Sequence, residues 1–336
     1  MQRITIREVA RRAGVSYQTV SRVINNRPEV SEATRALVQR AIAELDYHPN
    51  AQAVGLSRNR SDIVGVITES VESRFFARIV NSIGVELQRQ GRFMLLASTD
   101  VTTQPAMIDL LQRSRRIDGM IIILPLEASL EQAQQLARSR LPLVLVDLQY
   151  EIDANYIAVN NFQGAYSATE HLIKLGHRRI GIICGRRDLP VGEIRLDGYR
   201  AALRYYGLPY DPELVVPGDF THRAGEAGAA HFLGLAHQPT AIFACDDDMA
   251  FGAMRECRRH GLRVPEDISV IGFDDIPEAS HSYPPLTTIR QPLQEMGRIA
   301  AEYVCRSIDG ADPGRLQLTM ATDLIVRHST APPPTR

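Results

Sequence analysis

From residue 63 onward, short runs of apolar residues alternate with longer segments that have the periodicity of amphipathic helices. The apolar runs are continuous, which is typical of strands buried on both faces of a parallel sheet. Parallel strands need a crossover between them, and a helix usually provides it. The pattern therefore predicts an α/β fold. The predicted strands are 63–67, 93–97, 120–124, 143–146, 180–184, 241–245 and 269–273.

These strands and the helical segments between them are too many for one compact sheet of ordinary size. We therefore expect two lobes, each built on a Rossmann-like parallel sheet. A later helical segment at 292–309 and a strand-like run at 323–326 indicate that the chain crosses between the lobes more than once. The predicted core is 62–330, with an N-lobe of about 62–161 and 292–322 and a C-lobe of about 162–290 and 323–330.

Residues 1–58 have a different pattern, which predicts a small all-α domain. Thr5 and Glu8 have the spacing of a capping box, so a first helix should begin directly after Thr5. Gly14 allows a tight turn, and Ser16 can cap a second helix that runs to about residue 24. A third helix is expected over about 32–45. Three short helices of this length can just bury a core of their own.

The second helix should turn a row of polar side chains outward, namely Tyr17, Gln18, Ser21 and Arg22. A helix that presents such side chains can meet base edges in the major groove of DNA. Any helical hairpin with glycine at its corner would look similar, so this pattern alone leaves DNA binding open. The charge distribution favours a polyanionic partner. Residues 1–60 hold ten Arg and five acidic residues, a net charge of +5, whereas the remainder holds 28 basic and 34 acidic residues, a net charge of −6.

Residues 50–57 form a weak candidate helix between the two parts of the chain. An isolated helix of this length should not be stable in water. Gly55 weakens it further, by roughly 1 kcal/mol relative to Ala. We therefore predict that this segment becomes helical only when it packs against a partner.

Several classes of protein are disfavoured by motifs that the sequence lacks. It has no G-x-x-x-x-G-K-[ST] loop, no G-x-G-x-x-G after a predicted strand, no H-E-x-x-H and no G-x-S-x-G, so neither an enzyme nor a cofactor is expected. The four cysteines form no C-x-x-C pair and are expected to be buried in a reducing cytoplasm, and no metal site is expected. No export signal or membrane span is evident, which favours a cytoplasmic protein.

Acidic residues follow three of the predicted strands, at Asp147, Asp246 and Asp274. Ligands bind at the carboxyl ends of parallel strands. Carboxylates together with Arg195 could grip vicinal hydroxyl groups, and the rings of Phe75, Phe76 and Phe220 could cover the apolar face of a sugar. The alternative is that an Asp after a strand caps the next helix, which we expect of Asp247, Asp248 and Asp275.

These residues lie within strings that resemble the LacI-type (LacI/GalR) transcriptional regulators. Residues 4–57 resemble the helix-turn-helix domain and hinge helix of that family, and the rest, to about 328, resembles its periplasmic-binding-protein-like core. The strings are Thr5–Arg22, Asp46-Tyr-His-Pro-Asn50, His171-Leu-Ile-Lys-Leu-Gly-His-Arg-Arg-Ile180, Arg195-Leu-Asp-Gly-Tyr199, Pro239-Thr-Ala-Ile-Phe243, Val264–Asp275 and Pro285-Leu-Thr-Thr-Ile-Arg-Gln291.

The resemblance implies roles for individual residues. Base-reading positions match Tyr17, Gln18 and Arg22, with Leu56 as a wedge from the hinge helix into the minor groove. Positions that contact the DNA backbone match Thr5, Ser16, Thr19, Ser21 and Asn25. Positions in the effector pocket match Phe75, Asp147, Arg195, Phe220, Asp246, Asp274 and Gln291. Within the family, the run Ser16–Arg22 resembles in particular the recognition helix of the lac repressor.

The family's function implies a repressor that binds a pseudo-palindromic double-stranded operator as a homodimer and is released by a small-molecule effector. A sugar is the favoured effector, and a purine or nucleoside is the alternative. A sugar-binding receptor without a DNA role, or an enzyme on the same lobes, is disfavoured by the basic N-terminal segment. One departure stands out: Asp246 occupies a position where the family usually has Asn, which favours a ligand with hydroxyl donors there. No leucine heptads follow Val326, so a dimer rather than a tetramer is expected.

Overall fold

The computed structural model describes residues 4–25, 27–48, 60–100, 102–113, 116–123, 129–186 and 189–334. The N-terminal part contains three helices, α1 (Ile6–Ala13), α2 (Tyr17–Ile24) and α3 (Glu32–Glu44). Their facing sides form a small core of their own, centred on Val9, Val20 and Val38. The predicted hinge helix, with Leu56, lies outside the described residues.

The N-lobe is built on a six-stranded sheet whose paired strands all run parallel, in the order β11-β5-β4-β3-β1-β2. The helices α4 and α11 cover one face, and α5 and α6 cover the other. The strands of this sheet are β1 (Ile63–Thr68), β2 (Phe93–Ser98), β3 (Gly119–Ile123), β4 (Leu143–Val146), β5 (Tyr156–Val159) and β11 (Gln317–Met320). The helices are α4 (Arg74–Arg89), α5 (Gln104–Arg113), α6 (Leu130–Leu136) and α11 (Leu293–Ile308).

The C-lobe has a second six-stranded sheet, in the order β12-β10-β9-β8-β6-β7. All neighbours are parallel except β12, which pairs antiparallel with β10. Its strands are β6 (Ile180–Ile183), β7 (Val215–Val216), β8 (Ala241–Ala244), β9 (Ser269–Asp274), β10 (Thr287–Arg290) and β12 (Asp323–Ile325). Its helices are α7 (Asn161–Lys174), α8 (Pro190–Tyr205), α9 (His222–Leu233) and α10 (Asp247–Arg259), with short 3-10 turns at Pro212–Leu214 and Pro277–Ser280.

Two glycines allow α9 and α10 to pack with their backbones almost touching. A Cβ atom on Gly225 would lie 2.0 Å from the carbonyl oxygen of Met249, and one on Gly252 would lie 2.0 Å from the carbonyl oxygen of His222. Real Cβ atoms do not come this close to backbone atoms, so any larger residue would push the helices apart. This contact fixes the position of the first turn of α10, which borders the cavity described below.

The fold class predicted from the sequence is confirmed, but one inference about a strand is wrong. The continuous apolar run at 93–97 predicts a strand covered on both faces, whereas β2 lies at the edge of its sheet and exposes most of its side chains. Phe93 is 72% exposed, and Leu95 and Leu96 are also on the surface. An edge strand has only one neighbour, so an apolar run there does not imply burial within the same chain.

Candidate functional site

A small cavity lies where the carboxyl ends of strands from both sheets face each other. It encloses about 80 Å³, which is space for only a few water molecules, so a larger ligand would require the walls to move apart. Its lining comes from the start of α4, the end of β4, the first turns of α8 and α10, and the ends of β7 and β9. The lining residues are Ser73, Phe75, Phe76, Asp147, Val191, Arg195, Phe220, Asp246, Asp248, Asp274 and Ile276.

Arg195 supplies the positive charge of this lining, and its guanidinium group is held from several sides. Nε donates a hydrogen bond of 2.9 Å to Oδ1 of Asn161, and Nη1 donates to the carbonyl oxygen of Cys245. The guanidinium carbon lies 3.8 Å from the centroid of the Phe273 ring, a cation–π contact. Nη2 lies 3.8 Å from Oδ1 of Asp274. The side chain is therefore preorganised, and most of its donors face the protein.

Two carboxylates share this guanidinium group at the ends of their strands. Asp147 and Asp274 both have positive φ angles, 63° and 114°, so the backbone turns sharply as each strand ends. Burial raises the pKa of Asp147 to about 7 and that of Asp274 to about 6, while the charge of Arg195 lowers both. Each accepts a hydrogen bond from a glutamine, 2.9 Å from Gln149 to Asp147 and 2.6 Å from Gln291 to Asp274.

The third buried carboxylate of the lining, Asp246, also caps a helix. Its Oδ1 accepts a hydrogen bond of 2.7 Å from the backbone N–H of Met249, in the first turn of α10. Burial, followed by the charge of Asp274, raises its pKa. We expected capping roles for Asp247, Asp248 and Asp275. For α10 that expectation is wrong, because Asp247 and Asp248 lie within its first turn and Asp246 occupies the N-cap position, and Asp275 instead forms ion pairs with arginines.

The aromatic rings of the lining come from both lobes. Phe75 and Phe76 pack edge to face at the start of α4, with ring centroids 5.2 Å apart. Phe220 has a φ angle of 64°, and its ring lies against Gly185, where a Cβ atom would be 2.1 Å from Cζ. The lining therefore combines aromatic rings, which can pack on the apolar face of a sugar ring, with carboxylates, which can accept hydrogen bonds from its hydroxyl groups.

Gln291 is the one expected effector residue that does not line the cavity. It is 2% exposed and reaches the site only through its hydrogen bond to Asp274. Its role is to position that carboxylate. Ser73, Val191 and Ile276 also line the cavity but were not predicted from the sequence, and Asp248, expected only as a cap, lines it as well. Ser73 follows β1, and the rule that ligands bind beyond strand ends would have indicated it.

Two arginines at the start of α4 join the lobes beside the cavity. Arg74 pairs with Glu278 at 2.6 Å and with Asp248 at 3.0 Å. Arg78 donates a hydrogen bond of 2.6 Å to the carbonyl oxygen of Asp275. These residues belong to different lobes, so the contacts hold the cleft closed over the buried carboxylates.

The N-terminal helices present a second candidate site. Tyr17, Gln18 and Arg22 are exposed on α2, and Tyr17 is 55% exposed. The capping predicted from the sequence is present, because the Glu8 carboxylate accepts a hydrogen bond of 2.7 Å from the backbone N–H of Thr5.

Of the polar residues expected to contact the DNA backbone, Thr5 caps α1, and the others lie on α2 or at its ends. Ser16 accepts a hydrogen bond of 3.1 Å from the backbone N–H of Thr19, which caps the helix. Asn25 donates 2.9 Å to the carbonyl oxygen of Ser21 at the other end. Their side chains therefore serve the helix ends in this structure.

Among the residues described above, no group of three or more His, Cys, Asp or Glu side chains is arranged to hold a metal ion. Within the same ranges, no helix is long and apolar enough to cross a membrane.

Comparison with known proteins identifies both parts of the chain. Residues 5–50 match the model of bacterial regulatory proteins of the lacI family, and residues 169–330 match that of a periplasmic binding protein-like domain. The HTH-type transcriptional repressor CytR of Escherichia coli (strain K12) is 37% identical over 97% of this chain and 96% of its own length. The HTH-type transcriptional regulator CelR of Thermobifida fusca is also 37% identical, over 98% of both chains.

Solved structures agree with this assignment. A lac repressor dimer bound to operator and the anti-inducer ONPF is 31% identical, with a TM-score of 0.87 over 98% of this chain and all of its own. A complex of the transcriptional regulator CelR with cellobiose is 37% identical, with a TM-score of 0.72 over 97% of this chain and all of its own. The chain therefore belongs to the LacI family of bacterial regulatory proteins and is a DNA-binding transcriptional regulator rather than an enzyme.

Proposed function

We propose that this protein is a cytoplasmic repressor that binds a pseudo-palindromic operator as a homodimer and is released when a sugar enters the cavity between its lobes. The observation that carries the effector class is the cavity itself. It combines buried carboxylates and the Arg195 guanidinium with the aromatic rings of Phe75, Phe76 and Phe220. Carboxylates accept hydrogen bonds from sugar hydroxyls, and rings pack against the apolar face of a sugar.

The exposed face of α2 supports operator reading by Tyr17, Gln18 and Arg22. The N-terminus of this helix, with Ser16 and Thr19, offers polar groups to phosphates, and Thr5 at the N-cap of α1 is a further proposed backbone contact. Ser21 and Asn25 are further proposed backbone contacts. The residues Ser16–Arg22 support the proposal that, within the family, this recognition helix is most similar to that of the lac repressor. We further assign Leu56 to a minor-groove wedge.

Dimer formation is supported by the apolar surface of the N-lobe edge. Phe93, Leu95 and Leu96 on β2 and Val85 on α4 are exposed large apolar side chains. A cluster of this kind on a soluble protein marks an interaction surface. A second copy of the chain would bury this apolar surface. The dimer would then place two DNA-reading helices on one operator, as a pseudo-palindromic operator with two half-sites requires.

Effector and operator binding are coupled through the hinge segment 50–57 in this proposal. The segment is short and contains Gly55, so we expect it not to stay helical without a partner, and in this proposal its folding depends on DNA and on the second subunit. Effector binding that moves the lobes, and with them the dimer surface, removes this support. The coupling is reciprocal, so operator must weaken effector binding by the same factor.

Operator selection from random duplexes, followed by binding measurements at several salt concentrations, tests the proposal. We expect a two-fold sequence and a steep salt dependence. Exchanging Tyr17 and Gln18 for other polar residues should change the preferred sequence, and Arg22→Ala should cost about 1–3 kcal/mol at one base pair. As a control, Arg259→Ala removes the same charge from the C-lobe surface and should leave operator affinity unchanged.

A uniform loss of affinity across operators in the Tyr17 and Gln18 variants would show that these residues contact the backbone instead. A thermal-shift screen of sugars, purines and nucleosides then tests the effector class, because a ligand that binds the folded state raises its melting temperature. A purine or nucleoside that shifts the melting temperature when no sugar does would contradict the sugar assignment.

A further inference from the structure

The charges inside the cavity do not balance. Asp147, Asp246 and Asp274 are each more than nine-tenths buried, and all three face the same small space. Arg195 is the basic side chain that lines the cavity with them. With all three carboxylates ionised, this group would carry two uncompensated negative charges. Burial, together with repulsion from neighbouring carboxylates, raises the pKa of each of these carboxyl groups, and a cationic ligand would offset that repulsion.

Other aspartates nearby have partners of their own. Asp275 forms ion pairs of 2.6 Å with both Arg290 and Arg327. Asp248, at the rim, pairs with Arg74 at 3.0 Å. The imbalance is therefore confined to the carboxylates at the bottom of the cavity.

The buried Asp247 is also satisfied within the protein. Its Oδ1 accepts a hydrogen bond of 2.5 Å from the hydroxyl of Thr288, and its Oδ2 accepts one of 2.8 Å from the backbone N–H of Ile276. It does not line the cavity, so its charge is not available to a ligand.

Asp246 is the carboxylate of the lining with the least compensation. Its Oδ1 caps α10 through Met249, and in the described part of the chain its Oδ2 has no hydrogen-bond donor and its carboxylate has no ion-pair partner. It is 6% exposed, and its remaining exposure is toward the cavity. A ligand that fills the cavity excludes water from this oxygen, so a ligand that supplies a hydrogen-bond donor there binds more tightly than one that does not.

We propose that the effector is a polyhydroxylated ring or chain that carries a protonated amine, an amino sugar or amino polyol, with its ammonium group at Asp246. This inference rests on the proposed function and specifies its effector. A hydroxyl group donates one hydrogen bond and leaves the charge in place, whereas an ammonium group donates three and neutralises one carboxylate. Anionic ligands are disfavoured, because the donors of Arg195 are already directed at Asn161, Cys245 and Asp274.

Calorimetric titration of the full-length protein at pH 7 tests the proposal with a matched panel. The probes are D-glucosamine, D-galactosamine and D-mannosamine, each compared with its parent hexose and its N-acetyl derivative. At least one amine should bind at least tenfold more tightly than both of its neutral relatives, equivalent to about 1.4 kcal/mol. The N-acetyl derivative keeps the nitrogen and removes the charge, so this comparison isolates the ammonium group.

Two variants locate the ammonium group. Asp246→Asn keeps the N-cap, because Asn caps helices as well as Asp, so it should fold normally. It should lower affinity for the amine about tenfold more than affinity for the parent hexose. Asp109→Asn is the control, because it removes one carboxylate from the surface of α5, outside the cavity, where Arg113 is its counter-ion. The affinity of this variant for the amine should stay within threefold of that of the unchanged protein.

The outcomes separate this inference from the proposed function. A parent hexose that binds as tightly as its amine overturns the ammonium proposal and leaves the sugar effector standing. Unchanged amine affinity in Asp246→Asn overturns the assignment to Asp246. Absence of binding by every amine and every neutral sugar at 10 mM, a concentration on the order of weak sugar complexes, overturns both proposals.

Discussion

Replacement of Asp147 by Asn should make the protein more stable at neutral pH, although Asp147 lies in the binding cavity. The pKa of this carboxyl group is raised from 3.8 to about 7, mainly by burial. Between these values the folded protein holds a proton that the unfolded chain has released. Because the native state binds more protons there, its stability falls as the pH rises from about 4 to about 7.

The size of the effect follows from the shift. A difference of about 3 pKa units corresponds to roughly 4 kcal/mol at 1.36 kcal/mol per unit, to order of magnitude, and the penalty is complete above pH 7. Asn removes the titration but keeps the shape of the side chain and can still accept the hydrogen bond from Gln149. Asn also tolerates the positive φ angle of 63° at this position.

Urea unfolding of the full-length protein at pH 4 and pH 8 measures the effect. The free energy of unfolding of Asp147→Asn should exceed that of the unchanged protein by up to about 4 kcal/mol at pH 8 and should be nearly equal to it at pH 4. Asp100→Asn is the matched control, because hydrogen bonds from Thr102 and Thr103 lower the pKa of Asp100 to about 2. That variant should be destabilised at pH 8 and affected less at low pH.

A stability difference for Asp147→Asn that is the same at both pH values would refute the reasoning, because the effect would then be steric. Destabilisation at pH 8 would refute it more directly. That result would mean that the charge of Asp147 is better compensated by Arg195 than its burial implies.

Three other predictions concern packing, closure and switching. Gly252→Ala should lower the free energy of unfolding by about 1–3 kcal/mol or more, because its methyl group would meet the His222 carbonyl oxygen. Gly84→Ala, whose methyl group would meet only Met94 at 3.5 Å, should raise the free energy of unfolding by about 0.5–1 kcal/mol. Thermal unfolding measures both. Arg74→Ala should destabilise the closed state of the two lobes by only about 1 kcal/mol, because the ion pairs of Arg74 are half exposed. Fluorescent labels on the two lobes should then report a more open cleft, and unchanged label distances would contradict this. Arg195→Ala should keep operator affinity but abolish release by the effector, and normal effector affinity by calorimetry would remove Arg195 from the site.

The strands that the sequence predicted well are those in the middle of a sheet. The run at 143–146 and the run at 269–273 are buried on both faces, so their composition alone identifies them. The strands β5, β7, β10 and β11 were not predicted. β7 has only two residues, and β10 and β11 contain polar residues, so none of these three shows a continuous apolar run. β5 is an apolar run of four residues that was not singled out. The exposure of β2 was missed because apolar composition predicts that a strand is buried, but it does not show whether the same chain or another molecule covers the strand.

In the site, too, local sequence patterns predict some residues, whereas others depend on how distant segments pack together. Asp147, Arg195 and Asp246, which line the cavity, were predicted as effector residues because strand ends and a family motif point to them. The residue that caps α10 was assigned wrongly. Three consecutive acidic residues occupy positions 246–248, and the exact residue at which the helix begins decides which of them is the N-cap. The place of Gln291 behind Asp274 depends on how β9 and β10 align across the sheet, which no local pattern encodes.

The late position of α11 in the chain determines the order in which the lobes can be completed during synthesis. Leu293, Met296 and Val304 of this helix belong to the N-lobe core, and β11 forms the edge of the N-lobe sheet. The lobe that begins first on the ribosome therefore cannot close its core until residues near 320 have emerged. The C-lobe, whose strands β6 to β10 are contiguous, has most of its sheet by residue 290. During synthesis, the N-lobe core therefore stays incomplete, with apolar residues exposed to water, while the C-lobe folds. The nascent chain is most prone to aggregate in this interval.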